Sequence, residues 1–157
     1  MLLEESLVRE VMTAPVVSVE PSTALVDAAL LLRGSSIRHL LVMEGEELVG
    51  LLTDRDIQRC APSRLTPISE EEYNAIFAKT TVNRVMTRNP QTVSSTTPLT
   101  TAIATMRQGR YGCLPVVDEG VVVGILTRSD LVEALRRLLI GKNLGREEQG
   151  IDPSSTI

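Results

Sequence analysis

The strongest constraint on this fold is an internal repeat. Gly50-Leu51-Leu52-Thr53-Asp54-Arg55-Asp56-Ile57 and Gly124-Ile125-Leu126-Thr127-Arg128-Ser129-Asp130-Leu131 stand 74 positions apart. Each follows a valine-containing apolar run and opens an amphipathic one, so a strand passes through a Thr into a helix carrying an Asp three residues later. At the same offset Val11-Met12-Thr13 meets Val85-Met86-Thr87, Thr23 meets Thr97, Leu25 meets Leu99 and Ala28 meets Ala102. Leu40 then meets Leu114, Val42 meets Val116 and Val49-Gly50 meets Val123-Gly124. Roughly sixteen of about fifty positions are identical, the mark of a duplicated supersecondary unit. The register has no gap, although Pro15 and Pro90 are displaced by one position.

The repeat fixes the domain plan. Residues 1–59 form a first unit with a lead-in helix, 60–81 a linker with a short helix, 82–140 a second unit and 141–157 a mobile tail. Leu7, Val8, Val11 and Met12 have helical spacing, which predicts the lead-in helix over Glu4–Met12. Val16–Val19 reads as extended. Ser22 or Thr23 is placed to cap a helix with a Leu25, Ala28, Ala29, Leu32 stripe that stops at Gly34. Ile37–Met43 and Glu47–Leu52 read as a hairpin about Glu44-Gly45-Glu46, and Thr53 starts a helix running to about Arg59. In the linker, Pro62 and Pro67 predict irregular chain, and Ser69 with Glu72 makes a capping box before Tyr73, Ile76 and Phe77. Val132–Ile140 extends the last helix, with Gly141 as its stop. The expected class is α/β (α+β): two tandem units, each a small three-stranded sheet with helices packed on it, related by a pseudo-two-fold axis.

Composition narrows the function. A 43% hydrophobic content supports a core, but aromatics are 2%, too few for base-stacking platforms. Net charge is −4 with no Lys/Arg block, which argues against nucleic acid. No basic segment precedes an apolar one at the amino terminus, and no run is long enough to span a bilayer. Cys60 and Cys113 have no metal-ligand spacing, so a reduced, cytoplasmic protein is expected.

Thr53-x-x-Asp56 and Thr127-x-x-Asp130 admit two readings. As helix capping boxes they need no ligand. Alternatively, a Gly-containing strand feeding a helix aims N–H groups and the positive helix end at a phosphate. The short Asp carboxylate, retained in both copies where Glu would cap as well, would then accept two hydrogen bonds from a ribose diol.

The chain resembles the CBS-domain family, whose members come in tandem pairs called Bateman modules. Val11-Met12-Thr13 and Val85-Met86-Thr87 carry the resemblance at the start of each unit. Ile37-Arg38-His39-Leu40-Leu41-Val42 and Cys113-Leu114-Pro115-Val116-Val117-Asp118 carry it in the middle, and the Gly-to-Asp stretches at the end. The resemblance implies a non-catalytic sensor of AMP, ADP or ATP, with S-adenosylmethionine or NAD bound by some members. It would signal through its shape or through contacts with a regulated protein. It further implies ribose contacts from Asp56 and Asp130, and phosphate or ribose contacts from Thr53 and Thr127. Backbone around Ser18-Val19 and Thr92-Val93 would edge the adenine, while Ile37-Arg38-His39 and Tyr111-Gly112-Cys113 would line the same pockets. One departure is Leu41, where the second copy has Pro115.

The copies differ in charge. Arg38, His39 and Arg55 stand where the second unit has Gly112, Cys113 and Ser129, and Arg128 stands opposite Asp54. Cations strengthen phosphate binding, so the site near Asp56 should suit a charged ligand tail best. His39 is the only histidine, which precludes a site needing two His ligands from one chain, and it serves either a phosphate contact or a structural role. Cys113 reads as a packing thiol. Met12 and Met86 read as core or interface fillers. No nucleophile with a base and no acid–base pair is visible. The apolar faces of Leu25–Leu32, Thr100–Met106 and Leu131–Leu139 exceed what so small a sheet can cover, which predicts a homodimer. A structural or dimerising scaffold with empty pockets is the competing reading.

Overall fold

A computed structural model describes residues 5–35, 37–60 and 68–148, with 142–148 as backbone alone. Residues 61–67 of the expected irregular linker and 149–157 of the expected tail lie outside the described residues.

The first unit contains β1 (Ser18–Val19), α1 (Leu25–Gly34), β2 (His39–Glu44), β3 (Glu47–Thr53) and α2 (Asp54–Cys60). After α3 (Glu70–Lys79) come β4 (Thr87–Arg88), α4 (Leu99–Gly109), β5 (Cys113–Asp118), β6 (Val121–Thr127) and α5 (Arg128–Glu148). β2 and β3 pair antiparallel from His39 opposite Thr53 to Glu44 opposite Glu47, with an irregularity at Val42/Met43. β5 and β6 repeat that register from Cys113 opposite Thr127, with the irregularity at Val116/Val117. The second hairpin turns through Glu119 and Gly120, both at positive φ, as a two-residue primed turn requires. β1 lies parallel to β2, and a Val93–Val116 bridge repeats that contact in the second unit.

Each sheet gains a further edge from the other unit. β4 pairs with β3 (Leu51 opposite Thr87), and Thr13 bridges Ile125 in β6 at the equivalent place. The exchange extends to the helices. The Leu25 N–H at the start of α1 donates to the Thr80 carbonyl (2.8 Å), and the Leu99 N–H at the start of α4 donates to that of Ser6 (2.8 Å). Val8 fills the core of the second unit with Leu99, Ala102, Met106 and Leu126, while Val82 fills the first with Leu25, Ala28, Leu40 and Leu52. Each core is thus completed by the chain that leads into the other.

Four expectations change. In place of two three-stranded sheets there is a four-stranded one, β1-β2-β3-β4, and a two-stranded one, β5-β6, because β4 adds to the first sheet while Val93 and Thr13 make only single bridges to the second. Among the described residues, no continuous lead-in helix spans the expected stretch, Glu4–Met12; Val8–Glu10 is a 3-10 turn, because Val8, Leu7 and Thr13 are held by three different places in the second unit. Neither Ser22 nor Thr23 caps α1. Its cap residue is Ala24, without a side-chain bond, since the Thr80 carbonyl takes the first free N–H. α5 continues through Gly141 to Glu148. Gly141 has ordinary backbone there, and an interior glycine costs only about 0.5–1 kcal/mol relative to Ala.

The linker helix forms where expected. The Glu72 N–H donates to Ser69 Oγ (3.2 Å) and the Ser69 N–H to the Glu72 carboxylate (3.3 Å). Phe77 packs on the first core, and its ring centroid lies 4.8 Å from that of Tyr73. Among the described residues, no helix is long and apolar enough to cross a membrane.

Candidate functional site

Pairing across each hairpin brings the middle motif to the end motif. His39 opens β2 opposite Thr53, the last residue of β3, and Cys113 opens β5 opposite Thr127, the last residue of β6. The strand-to-helix junction and the start of the neighbouring strand therefore share one end of each sheet.

At both junctions the capping box is formed. The Thr53 N–H and hydroxyl donate to Asp56 Oδ2 at 2.9 and 3.0 Å, and the Asp56 N–H donates back to Thr53 Oγ1 at 3.2 Å. The Thr127 N–H and hydroxyl reach Asp130 Oδ2 at 2.8 and 3.0 Å, with the Asp130 N–H returning to Thr127 Oγ1 at 3.2 Å. Oδ2 is consumed by the cap in each copy. Oδ1 differs: that of Asp130 accepts the Thr13 hydroxyl at 2.6 Å, whereas that of Asp56 accepts no hydrogen bond from the described residues. Asp56 is nonetheless 8% exposed, the one buried charged side chain among the described residues.

The two units meet at these ends. Leu41, Cys113 and Ile125 form a small buried cluster with Val16, Leu48, Leu51 and Val122 around it. Beside it, the His39 imidazole covers Gly112, where a Cβ would fall 3.1 Å from Nε2. The Arg128 N–H donates to the Gly112 carbonyl at 3.3 Å, so the second junction is tied to the loop beneath His39. Burial pushes the His39 pKa below 6.5; the charges of Arg38 and Arg128 push it further down, and the Asp56 carboxylate opposes them. An imidazole from one unit thus shares its field with a guanidinium from the other.

The other candidates fall as follows. Arg38, Arg55, Arg128 and Ser129 are exposed, Ile37 packs on the first core, and Tyr111 lies across Gly109. Ser18 and Val19 are held by β2, and Val93 by hydrogen bonds with Pro115 and Val117. Thr92 precedes that bridge and is partly buried. Cys113 faces the inter-unit seam, where burial pushes its thiol up to about 12, far from a reactive thiolate. Among the described residues, no group of three His, Cys, Asp or Glu is placed to hold a metal ion.

Gly50 and Gly124 have a role that the junction pattern does not suggest. A Cβ at Gly124 would lie 2.6 Å from Met12 Sδ and 3.0 Å from the Thr13 carbonyl. At Gly50 it would lie 2.5 Å from Met86 Sδ. These glycines admit the lead-in chain of the opposite unit. Thr13 was missed as a site-side residue, although the Val-Met-Thr repeat was its signal.

Sequence comparison agrees with this architecture. The CBS-domain pattern matches residues 8–62 and 82–137. A CBS domain-containing protein of Dictyostelium discoideum is 32% identical over 135 residues, covering 85% of this chain and 93% of its own. Several relatives are longer, and the chain spans 27% of one from Arabidopsis thaliana. Among solved structures, CBSX2 in complex with AMP superposes with a TM-score of 0.70 at 30% identity, covering 84% of this chain and 97% of CBSX2. The CBS domain pair of protein MJ0100, in complex with 5'-methylthioadenosine and S-adenosyl-L-methionine, gives 0.69 at 26% identity, covering 83% of this chain and 99% of that pair. Two pattern matches, one per repeat, and a shared fold with CBS pairs lead to one conclusion: this chain belongs to the CBS-domain family, as a tandem pair of CBS domains.

Proposed function

We propose that the chain is a regulatory module, not an enzyme, which binds an adenosine ligand between its two repeats. AMP, ADP or ATP is the first choice, with S-adenosylmethionine or NAD as alternatives. The observation that carries this reading is the duplicated Thr–Asp junction, in which the cap uses one carboxylate oxygen and, at Asp56, leaves the second to take a ribose hydroxyl. Thr53 with Asp56 and Thr127 with Asp130 hold ribose and phosphate. Ser18-Val19 and Thr92-Val93 edge the base. Arg38, His39, Arg55, Arg128 and Ser129 meet the phosphate, and Ile37, Tyr111, Gly112 and Cys113 form the walls. Solved relatives of the same fold bind AMP, or 5'-methylthioadenosine and S-adenosyl-L-methionine, which supports the ligand class.

Half-exposed Leu135 and Leu139 with Val132 on α5, and Leu30 on α1, support a homodimer. Ligand-dependent changes in such a dimer, or in its contact with a regulated protein, would carry the signal. The formed capping boxes favour one second reading, a scaffold whose Thr–Asp pairs only end helices. Thermal unfolding in the presence of each nucleotide separates them. A ligand that binds only the folded chain raises the midpoint with concentration, adding about 2.7 kcal/mol of stability at a hundredfold excess over Kd. A flat response to all five compounds favours the scaffold.

A further inference from the structure

Thr13 and Thr87 occupy equivalent positions, as do Asp130 and Asp56, yet only one of the two Thr–Asp pairs is hydrogen-bonded among the described residues. The chain path differs beside them. Thr87 and Arg88 form a two-residue strand against Gly50 and Leu51, and Pro90 follows two residues after Arg88. Pro15 comes one position earlier in its repeat, and Thr13 makes a single bridge, exchanging N–H and carbonyl with Ile125 at 2.9 and 3.0 Å. From that seat its hydroxyl donates to Asp130 Oδ1 at 2.6 Å, so both oxygens of Asp130 are satisfied within the protein.

We propose that Thr13 is an autoinhibitory latch on Asp130, so that the resting chain takes one adenosine ligand, at Asp56, and holds the Asp130 site closed. This rests on the ligand class proposed above. A ribose diol arriving at Asp130 must displace a short hydrogen bond to a carboxylate, one of the stronger kinds. Among the described residues, no such donor stands in the way at Asp56. Opening the latch would also loosen the Thr13–Ile125 bridge, which links the second site to the seating of the lead-in chain.

Equilibrium dialysis with AMP tests this on the full chain. The wild type should bind one equivalent, and Asp56→Asn should weaken that binding at least tenfold. Thr13→Val keeps the branched shape without the hydroxyl and should bind two equivalents, returning to one in Thr13→Val/Asp130→Asn. Two equal equivalents in the wild type, or one in Thr13→Val, would overturn the latch. A ligand-free measurement separates this from failure of the ligand reading. In thermal unfolding, Thr13→Val and Asp130→Asn should be non-additive, while Thr87→Val and Asp56→Asn should add. Additivity at Thr13 and Asp130 overturns the latch whether or not AMP binds. Absence of AMP binding in every variant removes the ligand reading and the one-site claim together.

Discussion

Met12 lies against the bare face of Gly124, across the boundary between the repeats, and Met86 lies against Gly50 in the same way. A thioether keyed onto a glycine holds each lead-in chain on the other unit's sheet. Replacing either glycine with valine should displace that chain and cost about 1–3 kcal/mol, the usual range for overpacking. Urea unfolding measures it, and the two variants should lose similar amounts.

Exchange of lead-in chains makes the two units one cooperative body. Val8→Ala removes contacts from the second core and Val82→Ala from the first, each costing about 2 kcal/mol for the lost apolar volume. Each should shift a single unfolding transition that different probes report at the same denaturant concentration. Two separate transitions would contradict the exchange.

Helix α3 is anchored by a capping box of its own, separate from the two Thr–Asp junctions. Ser69→Ala should lower stability by about 1 kcal/mol through loss of the bond to the Glu72 N–H. AMP affinity measured on the same variant should be unchanged.

His39 gives the protein a signed dependence on pH. Its folded pKa lies below 6.5, the unfolded value, so the unfolded chain binds the proton more readily. The contribution is fully present above about pH 6.5 and declines as pH falls toward the lowered folded value. As the single histidine it can be followed alone by NMR titration. His39→Gln should flatten the slope of stability below about pH 6.5.

The hairpins, the junction boxes and the Ser69 cap were legible because each is local and the duplication states most of them twice. The lead-in chain was not. Leu7, Val8, Val11 and Met12 keep helical spacing, but Leu7 bridges Pro98, Val8 enters a distant core and Met12 covers Gly124. Spacing along the chain carries no record of partners so far away. The same exchange explains Thr23, a good cap by type that α1 does not use because Thr80 supplies the carbonyl. Gly50 and Gly124 mark the junction in the sequence, but that pattern does not reveal that their bare faces make room for Met86 and Met12. At the candidate site, the Thr–Asp spacing foretold the boxes, while the difference between the Asp56 and Asp130 outer oxygens comes from the Thr13 hydroxyl, which reaches Asp130 from 117 residues away.

The central claim is that the Asp56 junction is a ligand site and not only a cap. Calorimetric titration of wild type and Asp56→Asn with AMP tests it most directly, with urea unfolding to confirm that the variant keeps its fold. The account predicts saturable binding by the wild type and at least tenfold weaker binding by the variant. Equal affinities, or no heat from a wild type shown by absorbance to be free of bound nucleotide, would contradict it.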